Sequence, residues 1–146
     1  FTGHPAIEST TMDIRTVCIF PLGHRFSQYS KISPRHLDNE RLVHARRDNF
    51  FFQTLNEVFR KNSVSPKQIV ETRQFTGACE LVARGVGVSI VSELDARTYQ
   101  GQLDFRPFTP NIPHQLSLVR PTHQTPSMIT LDFMEKFKES VGDLLA

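Results

Sequence analysis

Val70-Glu71-Thr72-Arg73-Gln74-Phe75-Thr76-Gly77-Ala78-Cys79-Glu80-Leu81-Val82-Ala83-Arg84-Gly85-Val86-Gly87-Val88-Ser89-Ile90-Val91 reads as a strand, a helix and a second strand with almost no linker between them. Ile69 to Arg73 is rich in β-formers. Thr76 is placed to cap a helix carrying Ala78, Leu81 and Val82 on one face, and Gly85 can end it in a left-handed turn. The apolar run Val86 to Val91 suits a strand buried on both faces of a parallel sheet. The pattern is a βαβ unit. Its break at Gln74-Phe75 opens a helix N-terminus just past the carboxyl end of a strand, where open α/β sheets bind ligands.

Outward from this unit the same rules predict strands at Arg15 to Phe20, Arg41 to Ala45, Leu103 to Arg106 and Gln115 to Arg120. A helical turn is expected near Ser33 to Leu37 and a short helix near Ser92 to Thr98. Phe51, Leu55, Val58 and Phe59 fall at i, i+4, i+7 and i+8, so a longer helix follows the second strand, with Asp48 or Asn49 as its cap. Ser127 to Leu145 reads as an amphipathic terminal helix with Met134, Phe137, Val141 and Leu144 on one stripe. Pro107, Pro110 and Pro113 forbid regular structure between the last strands and suit a connection.

Composition narrows the function. A net charge of +2 with scattered Lys and Arg does not mark a nucleic-acid-binding face. The apolar runs fall far short of the roughly 20 residues that span a bilayer, so a soluble protein with no membrane partner is expected. Catalysis has no support: there is no G-x-S-x-G elbow and no G-x-x-x-x-G-K-[ST] loop, and Gly85-Val86-Gly87 precedes a strand, the wrong side for phosphate binding. The six histidines lack H-x-x-x-H spacing, and Cys18 and Cys79 lack C-x-x-C spacing. No metal and no cofactor are expected. Two readings of the cysteines stand, buried inert thiols or a redox-sensing pair, and the first has the better support.

Glu71-Thr72, Cys79, Leu81-Val82-Ala83 and Gly85 to Val91 resemble the effector-binding domain of LysR-type transcriptional regulators. So do Pro21-Leu22-Gly23-His24-Arg25-Phe26, similar to that family's P-x-x-H-P-L crossover, the late strand Leu103 to Phe108, and Leu118-Val119-Arg120-Pro121. The likeness runs from about Asp13 to Val141 and is strongest to the branch named for the lysine-biosynthesis regulator and its opine-responsive relatives. Arg25-Phe26 departs from the pattern, where proline and a small aliphatic are usual.

The resemblance implies a periplasmic-binding-protein-like α/β fold, a mostly parallel sheet flanked by helices in one complete lobe, plus part of a second lobe. Residues 1–20 would end the first lobe and make the first crossover, 21–108 would form the second lobe, and 109–146 would cross back. It further implies a small-molecule effector held between lobes, a cytoplasmic homodimer or homotetramer, and DNA contact only through an amino-terminal winged helix. That helix and the start of the first lobe would lie outside this chain. A transporter's solute-binding protein shares the fold and is the alternative.

Two loops are candidates for the effector. Arg46, Arg47, Asp48, Asn49 and Phe50 follow a strand and open a helix, so free N–H groups, an arginine for a carboxylate and Asp48 for an ammonium could satisfy both ends of an amino acid. Gln74, Phe75 and Thr76 offer an amide and a hydroxyl at the next helix start. For each residue the plain alternative is capping, solvation or core packing. Thr2 is assigned to an opposing wall by the resemblance alone. An aromatic or aliphatic carboxylate is the alternative ligand.

Overall fold

The computed structural model describes residues 5–146. They form two compact units, a larger one of Arg15–His114 and a smaller one made of the residues up to Ile14 together with Gln115–Ala146. The second-lobe range read from sequence, 21–108, sits inside the larger unit.

The larger unit is built on β2 (Thr16–Phe20), whose five residues are all buried. Alternate side chains leave opposite faces of a strand, so Cys18 and Phe20 enter one apolar cluster while Val17 and Ile19 enter another. Phe26, the departure from the family pattern, is fully buried in the first cluster and meets Phe20 edge-on at 5.8 Å. β2 pairs antiparallel with both β5 (Ser89–Ser92) and β6 (Asp104–Pro107). β3 (Arg41–Ala45) pairs parallel with β4 (Lys67–Thr72). The two groups are stitched together where the Val88 N–H donates to the Arg41 carbonyl at 2.8 Å and the Val43 N–H to the Val88 carbonyl at 2.9 Å. The resulting order is β4-β3-β5-β2-β6, with β2 alone running against the rest.

The βαβ unit is present as β4, α2 (Phe75–Ala83) and β5, but β3 lies between its two strands. Gly85, at φ +83°, ends α2 as expected: its N–H donates to the Val82 carbonyl at 2.9 Å and the Val86 N–H to the Leu81 carbonyl at 3.1 Å, the paired bonds of a Schellman turn. Val86 is thereby spent on the helix end, and β5 starts three residues later than the apolar run suggested.

The cap of α2 corrects the sequence reading. Gln74, not Thr76, stands at the N-cap, and its side chain makes no capping bond. Thr76 lies inside the first turn, its hydroxyl 3.5 Å from the Gln74 amide oxygen. The first turn of α2 is left with N–H groups that no side chain caps. By contrast α1 (Phe50–Lys61) is closed by the Asn49 side-chain oxygen, which accepts from the Phe51 N–H at 2.8 Å, and buries Phe51, Phe52, Leu55 and Phe59. Ser92 caps the short helix α3 (Glu93–Thr98) by accepting from the Asp95 N–H at 3.2 Å.

The proline-rich return segment is anchored rather than loose. The Thr16 N–H donates to the Asn111 side-chain oxygen at 3.0 Å, and the Ile112 N–H donates to the Thr16 hydroxyl at 3.1 Å. Close by, Glu93 is 4% exposed and bound by two arginines. Arg15 reaches it with both Nε and Nη2, at 2.9 and 2.8 Å, and Arg97 with Nε and Nη2, at 3.2 and 3.0 Å.

In the smaller unit β1 (Ile7–Asp13) pairs antiparallel with β7 (Gln115–Pro121), from Ile7 opposite Pro121 to Asp13 opposite Gln115. Ser127 caps α4 (Met128–Leu145), whose Val141 is buried while Met134 and Phe137 are half-buried. Leu144, expected on the same stripe, is exposed.

Candidate functional site

The carboxyl ends of the parallel strands β3 and β4 bring Ala45 and Thr72 to one edge of the sheet, and the chain turns there into α2. A cavity of about 330 Å³ opens at this edge. Its apolar lining is Ala45, Phe75, Ala78 and Ile90; its polar lining is Asn49, Thr72, Arg73, Gln74, Thr76, Ser89 and Asp95. The volume and the mixture of apolar and polar lining suit a small molecule with polar groups.

Each wall is held from behind. Phe75 is wedged between Phe51 and His114, with ring centroids 5.0 and 5.3 Å away. The Ser89 hydroxyl donates to the Val43 carbonyl at 2.6 Å, which fixes the back of the cavity. Asp95 accepts the Ser92 hydroxyl on Oδ2 at 2.5 Å, leaving Oδ1 for another partner. Among the lining residues, the uncapped start of α2 and the cationic Arg73 favour an anion, and Asp95 favours a cation. Both signs of charge therefore border one small cavity.

Of the residues singled out from sequence, Asn49, Gln74, Phe75 and Thr76 are brought together here. Arg46, Arg47, Asp48 and Phe50 are not. Arg46 and Asp48 pair with each other at 2.7 Å, both exposed. The Arg47 N–H donates to a Glu71 carboxylate oxygen at 3.2 Å, and Phe50 is 76% exposed. Thr2 lies outside the described residues. Sequence reasoning missed Arg73, which adjoins the recognised helix start, and Asp95, whose place three residues after Ser92 reads only as part of a cap.

Next to Ala45 in the chain, the His44 ring is 3% exposed and packs against Phe52 at a tilt of 31°, with centroids 4.1 Å apart. Its Nδ1 accepts the Ala45 N–H at 2.8 Å and its Nε2 faces the Asn56 side-chain oxygen at 3.1 Å, an arrangement only the neutral ring with a proton on Nε2 satisfies. Burial pushes its pKa down, against the smaller opposing effects of the Asn56 bond and the Glu71 charge. The folded value then lies below the unfolded one of about 6.5. The contribution to stability is complete above that unfolded value and drains away as pH falls through the folded one. His24 and His114 are shifted the same way, also by burial first. The unfolding midpoint is expected to fall between pH 7.5 and 5.5, and His44→Gln to flatten part of that slope; an equal slope in the variant would clear His44 of the effect.

Cys18 and Cys79 are free, fully buried and in different apolar clusters. Burial, and then the charge of Asp95, pushes the Cys79 thiol up to about 12; burial raises Cys18 as well. Neither is a thiolate at neutral pH, the form that oxidants attack. Among the described residues no group of three or more His, Cys, Asp or Glu side chains could hold a metal ion, and no helix is long and apolar enough to cross a membrane.

Residues 5–142 match the family model described as the LysR substrate binding domain. The chain belongs to that family. The LysR domain is 30% identical over 123 residues to the transcriptional activator protein LysR of Escherichia coli (strain K12), covering 84% of this chain and 40% of that protein. It is 27% identical over 120 residues to the regulatory protein NocR of Agrobacterium tumefaciens (strain T37), covering 82% of this chain and again 40% of the relative. The chain thus spans 40% of the length of both relatives. Among solved structures it resembles the regulatory domain of Synechocystis PCC6803 CcmR in complex with 2-PG. The TM-score is 0.70 at 16% identity, over 97% of this chain and 70% of that one, a likeness of fold. LysR domains are the ligand-sensing, non-enzymatic parts of transcriptional regulators.

Proposed function

We propose that this LysR domain senses an amino acid or amino-acid derivative in the cavity at the start of α2. On this reading Asn49, Arg73, Gln74, Phe75, Thr76 and Asp95 form the effector site. One observation carries it: a single cavity is lined by the residues of an uncapped helix N-terminus, by Arg73 and by Asp95. A carboxylate suits the first two and an ammonium the last. The exposed loop Arg46, Arg47, Asp48 and Phe50 has a secondary role at most, because Arg46 and Asp48 already neutralise each other. Family membership favours a regulator over the solute-binding protein of a transporter.

The domain would work as part of a cytoplasmic, homo-oligomeric DNA-binding regulator, with DNA held by a segment outside this chain. The effector would act by preferring one arrangement of that assembly over another; a ligand without such a preference shifts nothing. A plain carboxylate is the second reading, favoured by Arg73 and the helix end alone.

The two readings separate in calorimetric titrations of amino acids against matched acids lacking the amine. Amino acids should bind more tightly, and Asp95→Asn should weaken them about tenfold, the worth of one charge-assisted bond, while leaving the plain acids unchanged. Equal binding of both series would sink the amino-acid reading and leave the carboxylate one.

A further inference from the structure

We propose that the effector site continues over the first turn of α2 into a second compartment that takes a cationic tail, with the Glu80 carboxylate as its partner. The inference rests on the amino-acid reading above and extends it to effectors with a basic side chain.

On the outer side of α2 lies a second, shallower cavity of about 500 Å³. It shares Thr72, Arg73, Gln74 and Thr76 with the first and adds Gly77, Glu80 and Tyr99. The two compartments are therefore separated by a single helical turn, whose 5.4 Å pitch is within the reach of a four-carbon side chain. A ligand whose carboxylate sits at Arg73 and the α2 N–H groups has its tail directed across Thr76.

Gly77 and Glu80 lie three apart on α2 and so share a face. A Cβ placed on Gly77 would meet nothing closer than the Thr72 Cβ at 3.7 Å, an ordinary contact. Packing does not demand glycine there, and the missing side chain keeps the floor of the compartment open. At its far end the Tyr99 hydroxyl donates to Glu80 Oε1 at 3.0 Å, which orients the carboxylate. Arg84 stands 3.9 Å from Oε2, an exposed and loose pair that a ligand cation can displace. Arginine-side recognition of the head and carboxylate recognition of the tail place opposite charges at opposite ends of the same path.

The test is isothermal titration of the intact protein with L-lysine, L-arginine and L-norleucine, the last being of similar length with an uncharged tail. The basic pair should bind about tenfold more tightly than norleucine, and Glu80→Gln should bring all three to one affinity without moving the unfolding midpoint of the free protein. Gly77→Leu, which fills the outer compartment with a good helix former, should erase the same advantage and spare norleucine. A lysine-to-norleucine ratio near one in the wild type, or a ratio that survives Glu80→Gln, overturns the second compartment while the inner site stands. No binding of any of the three overturns the amino-acid reading itself, and this extension with it.

Discussion

Gly87→Ala should destabilise the protein by about 3 kcal/mol, the upper end of what overpacking costs, and lower the unfolding midpoint by roughly 10 °C. A Cβ at that position would lie 2.5 Å from the Arg41 carbonyl oxygen and 3.1 Å from the Arg41 carbonyl carbon. Neither atom is the tip of a flexible side chain. The same oxygen accepts the Val88 N–H at 2.8 Å, so relief of the clash must stretch the bond that joins β3 to β5. Here glycine answers a close approach of two backbones. Since β3 and β4 supply Ala45 and Thr72 to the cavity, effector binding should weaken together with stability. A denaturant midpoint within experimental error of the wild type would show that the sheet can absorb the methyl group and would remove the argument.

Glu93→Ala is expected to cost nearly as much, again about 3 kcal/mol, the lower end of the range for breaking a buried ion pair. The carboxylate is 4% exposed and is held by four N–H···O contacts from Arg15 and Arg97. The lower end applies because the freed arginines are not stranded: their side chains are 50% and 26% exposed and can turn to water. The asymmetry gives a second arm. Replacing both arginines with methionine leaves the buried carboxylate unpaired, and should cost more than removing the carboxylate. Denaturant melts that ranked the two variants the other way would mean that Glu93 is more hydrated than its burial indicates.

Much of the fold was legible because its signals are local. The four-and-three spacing of Phe51, Leu55, Val58 and Phe59, the glycine at 85 and the serines at 92 and 127 each declare a helix or its end without reference to the rest of the chain. β1 was missed for the opposite reason. Ile-Glu-Ser-Thr-Thr-Met-Asp has no clear apolar face, and it is a strand because β7 offers it a partner about a hundred residues away in sequence. The cap of α2 was misplaced because threonine is a far commoner cap than glutamine, whereas the helix begins two residues too early for Thr76 to serve.

The site divides the same way. Asn49, Gln74, Phe75 and Thr76 follow the carboxyl ends of strands, so topology alone brings them to the edge where the cavity forms. Arg73 and Asp95 also follow strand ends, but a charge beside a helix start is ordinary, so neither stood out. The Arg46–Asp48 pair depends on how a four-residue loop folds back on itself, which spacing does not encode.

α3 has only six residues, yet its opening turn serves two ends at once. Asp95 borders the cavity, while two positions earlier Glu93 grips Arg15, the residue with which the chain first comes into the larger unit, and the Glu93 N–H donates to the Arg15 carbonyl at 2.8 Å. That turn is a shared anchor: the side chain that borders the cavity and the start of β2 hang from the same few residues.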